Sequence, residues 1–219
     1  MGYRRAKTKR GVVLLRIRAL LAGGLALGLG SSMTLASWTD SDFASSSFGA
    51  SVFQTESNVT SPYDALGTWS TNDVSPGATL VFNATAMSPG TVFYAPFAIR
   101  TKAKSVAGEV VLGIPVVTSS GTGTADLGAA LRYRVVRSTT CQASSFTGSP
   151  DFVVGSDGVK PLTMGQAVGV VNPLAAAPAT LPGEATHFCF EVSLPAGANN
   201  ALQGQTATAT WQFTATSSS

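Results

Sequence analysis

After residue 36, apolar and polar residues alternate with a period of two in several short segments, and a helical period is almost absent. The clearest alternation is Thr206–Thr216, where Ala207, Trp211 and Phe213 fall on one side and the threonines on the other. Successive side chains of a strand point to opposite faces of a sheet. This segment is therefore predicted to be a strand with one buried face and one wet face.

Similar alternation, separated by Pro/Gly-rich turns, predicts about eight strands in all. The predicted strands are Ser47–Phe53, Ala78–Ala86, Thr91–Arg100, Gly108–Val117, Leu131–Ser138, Asp151–Val154, His187–Leu194 and Thr206–Thr216. Many short strands with regular turn signals are typical of a single antiparallel β-sandwich or barrel domain.

Two prolines lie inside predicted strands, and one segment gives no clear prediction. Because proline lacks a backbone N–H, the strands that contain Pro96 and Pro115 are expected to be edge strands or to be bulged. Gly165–Thr180, which is rich in Ala and Pro, is predicted to be a loop or a short helix.

The first 36 residues have the organisation of a cleaved, helical secretory signal peptide. A basic region over residues 1–18 is followed by the apolar run Ala19–Gly30, and small residues precede a predicted cut between Ala36 and Ser37. A membrane anchor is the alternative, but it needs about 20 apolar residues. We therefore expect a secreted protein, extracellular or attached to the cell surface, that contacts the membrane only through its uncleaved leader.

Net charge changes once the leader is set aside. Seven of the 14 basic residues lie in the first 18 positions, and all 11 acidic residues follow residue 39. The remaining chain therefore carries a net charge of about −4. The basic character of the whole chain belongs to its leader, so no nucleic-acid partner is expected.

The two cysteines, Cys141 and Cys189, both follow the leader. Secretion places them in an oxidising setting, where one disulfide between them is the simplest prediction. Two buried free thiols are the alternative.

The residues that follow the predicted cut resemble a known family. The stretch Leu35–Phe43 (LASWTDSDF) and the motif Phe48-Gly49-Ala50 are similar to secreted proteins with a SipW-type signal peptide, the TasA/camelysin group of biofilm matrix proteins. Val74–Thr79 and Leu202–Gln205 resemble that group's lead-ins to strands, although Ala78 replaces an acidic residue. The middle of the chain, including both cysteines, departs from the group.

The resemblance implies a jelly-roll-like sandwich, release by a SipW-type signal peptidase and assembly into extracellular fibres. The high Ala, Gly and Val content separately indicates a Gram-positive source. The resemblance divides the chain into the signal peptide (residues 1–36), an N-terminal segment that is a possible donor strand (37–53) and a sandwich domain (54–219). In such fibres the N-terminal segment of one subunit completes the sheet of the next. Phe43, Phe48 and Phe53 are the side chains expected to fill grooves there, and the partner is another copy of the chain. Alternatively, Ser37–Phe53 is the first strand of its own sandwich.

Residue patterns for catalysis or cofactors are weak. The single histidine, His187, is expected to be structural, and the sequence contains no H-E-x-x-H metal motif, G-x-S-x-G elbow or phosphate-binding loop. Asp40 and Asp42 as calcium ligands, and Trp38, Trp69 and Trp211 as a sugar platform, are weaker hypotheses. We expect no enzyme activity and no cofactor.

These observations predict a structural subunit of an extracellular matrix or fibre that assembles by β-strand addition. The alternative is a monomeric secreted module that binds cell-surface glycan or protein, and it would carry an exposed aromatic patch.

Overall fold

The computed structural model describes residues 13–21, 50–60, 69–74, 79–80, 87–121 and 125–218. The cleavage residues Ala36 and Ser37, the phenylalanines Phe43 and Phe48, and most of Ala78–Ala86 lie outside these ranges. Residues 13–21 form a helix, α1, with every side chain exposed. Among the described residues, no helix has the length and apolar character to cross a membrane.

Gly49–Ser219 forms one compact unit, and its described part is almost entirely antiparallel β-structure. Eleven strands are present in the described ranges: β1 Thr55–Asn58, β2 Val92–Thr101, β3 Gly108–Leu112, β4 Val116–Ser120, β5 Arg132–Arg137, β6 Asp151–Val154, β7 Lys160–Pro161, β8 Asn172–Leu174, β9 Thr186–Ser193, β10 Thr206–Thr210 and β11 Phe213–Ser217. A short helix, α2, spans Leu127–Ala130, and 3₁₀ turns span Ala143–Phe146 and Asn200–Leu202. The predicted all-β sandwich is confirmed.

The sandwich has two layers with the hydrophobic core between them. The first layer is the sheet β1-β2-β9-β5-β6, with β7 beside β5; the second is formed by β11-β3-β8 and β10-β4. Phe97 of the first layer stacks on Phe213 of the second, with ring centroids 4.2 Å apart. Phe190 and Tyr133 both contact Trp211, at 5.1 and 5.9 Å. Large aromatic side chains thus fill the space between the layers, where they bury the most apolar area.

Alternation along the predicted strands agrees with their burial. Ala207, Ala209, Trp211, Phe213 and Ala215 are each less exposed than the residues between them. In β5 and β9, Tyr133, Val135, Phe188 and Phe190 are fully buried. The inner face of each strand was therefore correctly predicted by its period of two.

Two of the predicted strands pair with each other, and each is interrupted in the middle. The two interruptions lie opposite one another. Gly108–Val117 becomes β3 and β4, and Thr206–Thr216 becomes β10 and β11. Three residues, 113–115, lie opposite two, 211–212, so this is a β-bulge. Pro115 lies in the bulge, as predicted. We call the four strands together the ribbon.

The strand that contains Pro96 differs from the expectation of an edge. β2 pairs with β9 on one side and with β1 on the other. However, β1 reaches only Ala98–Thr101, so Pro96 pairs with Cys189 of β9 and faces no described strand on its other side. Gly165–Thr180 contains β8 and otherwise consists of loops.

Candidate assembly surfaces

The N-terminal segment enters the sandwich through a small anchor at Val52 and Phe53. Val52 makes an isolated parallel bridge to Ser105, and the N–H of Val106 donates to the Val52 carbonyl at 2.9 Å. The Phe53 ring lies over Gly108, where an added Cβ would be 2.7 Å from the ring and 2.4 Å from the Thr216 carbonyl. Gly108 thus leaves the space that Phe53 occupies.

Of the three phenylalanines predicted for strand donation, Phe53 is therefore half-buried in its own sandwich. The described residues 50–53 form a bridge rather than the predicted strand. Any exchanged segment would have to lie before Val52.

A disulfide lies at the centre of the outer face of the first layer. Cys141 and Cys189 are bonded, with Cα atoms 4.9 Å apart, as predicted. The bond attaches the loop that contains the 3₁₀ turn Ala143–Phe146 to the buried strand β9. Cys189, Val136 and Phe146 form a second small core there, with Tyr94 and Phe152 packed against it. Because of this loop, β9 is buried on both faces.

A charged pair lies beside the disulfide under the same loop. Arg134 donates two hydrogen bonds to Glu191, at 2.8 and 2.7 Å, and Glu191 is only 5% exposed. The Arg134 guanidinium also lies over the rings of Phe146 and Phe152, at 5.0 and 5.8 Å. Burial, followed by the nearby charge of Glu191, raises the pKa of Tyr94.

A shallow groove of about 770 Å³ lies at the other end of this face. Its lining includes Arg137, Val171, Pro173, Thr186 and His187. The Arg137 guanidinium is already bonded to Asp151, at 2.7 and 2.9 Å, and to the Val171 carbonyl. Burial lowers the pKa of His187, which outweighs the opposite effect of Glu184. In this groove the Arg137 guanidinium is therefore already bonded within its own chain, and the neutral form of the His187 imidazole is favoured.

Metal and sugar sites receive little support from the described part of the chain. No three His, Cys, Asp or Glu side chains converge there in a way that could hold a metal ion. The Trp69 ring is covered by the Arg100 guanidinium at 3.9 Å, and Trp211 packs in the core. Trp38 and the pair Asp40 and Asp42 lie outside the described ranges.

The ribbon differs from the first layer in its chemistry. Its outer face carries threonines, the exposed Glu109 of β3 and the exposed aliphatic residues Val111 (46%), Ile114 (61%) and Val116 (70%), of which Ile114 lies in the bulge. No charged residue occurs after Glu191, so β10 and β11 lie in a wholly uncharged stretch. This stretch was a sequence signal that the strand prediction did not use.

Three of the described sheet edges are covered or interrupted. Segment 69–72 lies along β1, where Ser57 and Ser70 exchange backbone hydrogen bonds of 2.9 and 3.1 Å. The N–H of Ala167 donates to the Val153 carbonyl of β6 at 3.0 Å. β8 contains Pro173. The helix α2 packs against both β10 and β4, and its Gly128 N–H donates to the Ser119 hydroxyl at 3.0 Å. Such coverings and prolines are usual protections against edge-to-edge pairing.

No family model matches the chain, and no curated protein sequence matches it either.

Proposed function

We propose that the chain is a secreted structural subunit of an extracellular matrix or fibre, freed from its leader by a SipW-type signal peptidase and assembled by β-strand addition. The observation that carries the proposal is the N-terminal anchor. The compact unit begins at Gly49, and Val52 and Phe53 fix the chain to it. Residues 37–48 precede these two contacts in the sequence.

The length and composition of this segment suit it to bridge two subunits. Twelve residues, fully extended, span about 40 Å. Phe43 and Phe48 are separated by four small residues, Ala and three Ser, and in a regular extended strand their side chains point to opposite faces, so each ring would pack on a different side of the donated segment. A contact from the N-terminus of one copy to the sheet of the next is head-to-tail. It does not close, so it produces filaments.

The disulfide supports a location outside the reducing cytosol. Disulfides form and persist in secreted proteins and are rare in cytosolic ones. Cys141–Cys189 is buried in a packed cluster, which is typical of a structural bond. This agrees with the basic leader and the small residues before Ser37.

The alternative, a monomeric glycan-binding module, is less favoured by the described aromatic residues. A sugar platform needs an exposed aromatic face. Trp69 stacks against Arg100, and Trp211 lies between the layers.

A double substitution, Phe43→Ser/Phe48→Ser, tests the donor role without touching Phe53 or the anchor. The material is the exported chain, purified from the medium of cells that express the full-length gene, with its N-terminus sequenced. We expect the wild type to begin at Ser37 and to form filaments by electron microscopy, and the variant to remain folded by circular dichroism but to lose filaments.

The matched control is Val168→Ser, which makes a similar apolar-to-polar change at a fully exposed site. It should form filaments as the wild type does. Filaments of normal length and number from Phe43→Ser/Phe48→Ser would contradict the donor role. Retention of the whole chain in the cytosol would contradict secretion.

A further inference from the structure

We propose that the turn formed by residues 102–105 of one copy binds the carboxylates of Asp40 and Asp42 from the next copy. We call it the lysine turn, because Lys102 and Lys104 supply the ammonium groups for these ion pairs. The inference rests on the proposed function, since it names the place where the N-terminal segment of a neighbouring subunit is held.

Lys102 and Lys104 differ from the other basic residues that follow the leader. Seven such residues remain, and four of them form ion pairs within the described sandwich, namely Arg100, Arg134, Arg137 and Lys160. Arg132 donates hydrogen bonds to three backbone carbonyls of α2 and the residue after it. Lys102 bonds to the Thr71 hydroxyl, Lys104 is exposed, and no described carboxylate pairs with either ammonium group. Two positive charges in one turn therefore lack a described counter-charge.

The backbone of the lysine turn is fixed by hydrogen bonds within it and to two other segments. The Ser105 N–H donates to the Lys102 carbonyl at 3.1 Å, and the Lys104 N–H donates to the Pro178 carbonyl at 2.9 Å. The Lys102 N–H and the Ser105 hydroxyl both donate to the Gln54 carbonyl, at 2.8 and 3.2 Å. The two lysines are therefore carried on a backbone that is already ordered, which reduces the entropy lost when a partner binds.

Lys104 also has an unusual backbone conformation. Its φ is 70°, and among the described residues it is the one non-glycine residue with a positive φ. A side chain with a Cβ is strained there, and glycine or asparagine is the usual choice. Strained residues of this kind cluster at functional sites. A lysine at this position thus supports a use for its ammonium group.

The N-terminal segment carries the opposite charge. Asp40 and Asp42 lie beside Phe43, and no Lys or Arg occurs between residues 19 and 99. Segment 37–48 therefore has a net charge of −2 with no basic residue near it in the sequence. Complementary charges speed association and fix its register, and like charges oppose the wrong pairing.

An extended segment cannot bring these carboxylates to the lysine turn of its own chain. Val52 is bridged to Ser105, so the chain enters the sandwich beside this turn. The ten residues from Asp42 to Val52, extended as strand addition requires, span about 35 Å. The two carboxylates of an added strand therefore lie far from their own turn, and a second copy must supply the lysines.

Charge reversal on each side, followed by mixing, tests the proposal. The donor-reversed chain carries Asp40→Lys/Asp42→Lys, and the turn-reversed chain carries Lys102→Asp/Lys104→Asp. Both are purified from the medium as exported chains, and filaments are measured by sedimentation and electron microscopy over a concentration series. Each reversed chain alone should need a roughly tenfold higher concentration than the wild type to form filaments, because like charges then meet. An equimolar mixture should form filaments at the wild-type concentration, since each donor then meets a turn of opposite charge.

Milder variants guard against loss of folding or export. Lys104→Asp lies at an exposed position, and aspartate tolerates a positive φ. It should raise the concentration needed for filaments about threefold, and Asp40→Asn/Asp42→Asn, which places no basic residue near the predicted cut, should do the same. The matched control is Ser156→Asp/Thr163→Asp, which changes the net charge as much as Lys104→Asp does, at exposed loop positions. It should assemble as the wild type does.

Three results would overturn the inference while leaving the proposed function intact. The first is that the reversed chains form filaments at the wild-type concentration. The second is a mixture that stays unassembled while one chain with all four reversals assembles, which would place the contact within a single chain. The third is equal weakening by Ser156→Asp/Thr163→Asp, which would assign the effect to net charge. A wild type without filaments, or normal filaments from Phe43→Ser/Phe48→Ser, would instead contradict the proposed function and this inference together.

Discussion

The first layer and the ribbon are both built from antiparallel strands. They differ in how far the strand faces are exposed to water and in how their charged side chains are placed. In the first layer, β9 is covered on both faces, and its one carboxylate, Glu191, is paired with Arg134. Along the ribbon only the inner face is covered; β4, β10 and β11 are uncharged, and β3 carries one exposed carboxylate, Glu109. A disulfide attaches a loop to the first layer, whereas the outer edge of β10–β11 has no described partner.

Because of this difference, substitutions in the two regions should change the stability of the fold by different amounts. Where both faces of a strand are buried, a lost side chain leaves a cavity or an unpaired charge, and the cost is large. Where a face meets water, substitutions cost the fold little. The first layer should therefore carry most of the sensitivity of folding, and substitutions on the outer face of the ribbon should change the free energy of unfolding only slightly.

The largest expected effect is from the disulfide. Cys141→Ala/Cys189→Ala removes a bond that closes a loop with a sequence separation of 48. The chain-entropy model predicts a loss of about 4 kcal/mol in the free energy of unfolding. Urea denaturation of the wild type and the variant measures it. A loss below about 1 kcal/mol would show that the packed cluster, rather than the cross-link, holds the loop.

Next in size is the buried charge. Glu191→Gln keeps the shape but leaves the Arg134 guanidinium without its counter-charge. We expect a loss of about 2 kcal/mol, less than for a fully buried pair because the Arg134 side chain is 24% exposed. Asp151→Asn is the control, since that carboxylate is 57% exposed and its pair with Arg137 should contribute under ~1 kcal/mol. Equal losses for both variants would contradict the contrast between buried and exposed charge.

A pH effect should come from His187. Its pKa in the folded chain is lowered by burial. Between this pKa and the unfolded value of about 6.5, the unfolded chain binds more protons, so stability falls as pH falls through that window. We expect the unfolding free energy to be lower at pH 5 than at pH 7.5, and His187→Gln to reduce the difference. A His187→Gln profile parallel to that of the wild type would assign the pH dependence to other groups.

The smallest effect on folding is expected on the ribbon. Val116 is 70% exposed, so Val116→Thr should change the free energy of unfolding by less than about 0.5 kcal/mol. Thermal denaturation measures this change, with Val135→Thr in the buried strand β5 as the contrasting variant. Destabilisation by Val116→Thr comparable to that by Val135→Thr would remove the distinction between the two regions.

Local patterns predicted the faces of the strands well and their partners poorly. The period of two placed Tyr133, Phe188 and Phe213 on the inner side, because alternation is a property of each strand alone. Pro115 predicted an edge or a bulge in its strand, but the position of the bulge opposite residues 211–212 and the division of Thr206–Thr216 were not predicted. They depend on the register between segments almost a hundred residues apart, which no local pattern reports.

Only part of the candidate site was predicted. The rest depends on contacts between distant segments, which no local pattern reports. The three phenylalanines of the N-terminal segment were treated as one set, but Phe53 belongs to the sandwich. Its assignment depends on the space above Gly108, a residue that gives no signal in sequence beyond being a glycine.

By itself, the sequence determined the class of the fold, the inner face of its main strands and the pairing of its two cysteines. These follow from local alternation and from having only one possible partner. The tertiary structure alone decided which described strands pair, where the ribbon bends and where the N-terminal segment is anchored. Each of these is set by contacts between distant segments, whose closeness is a property of the folded chain.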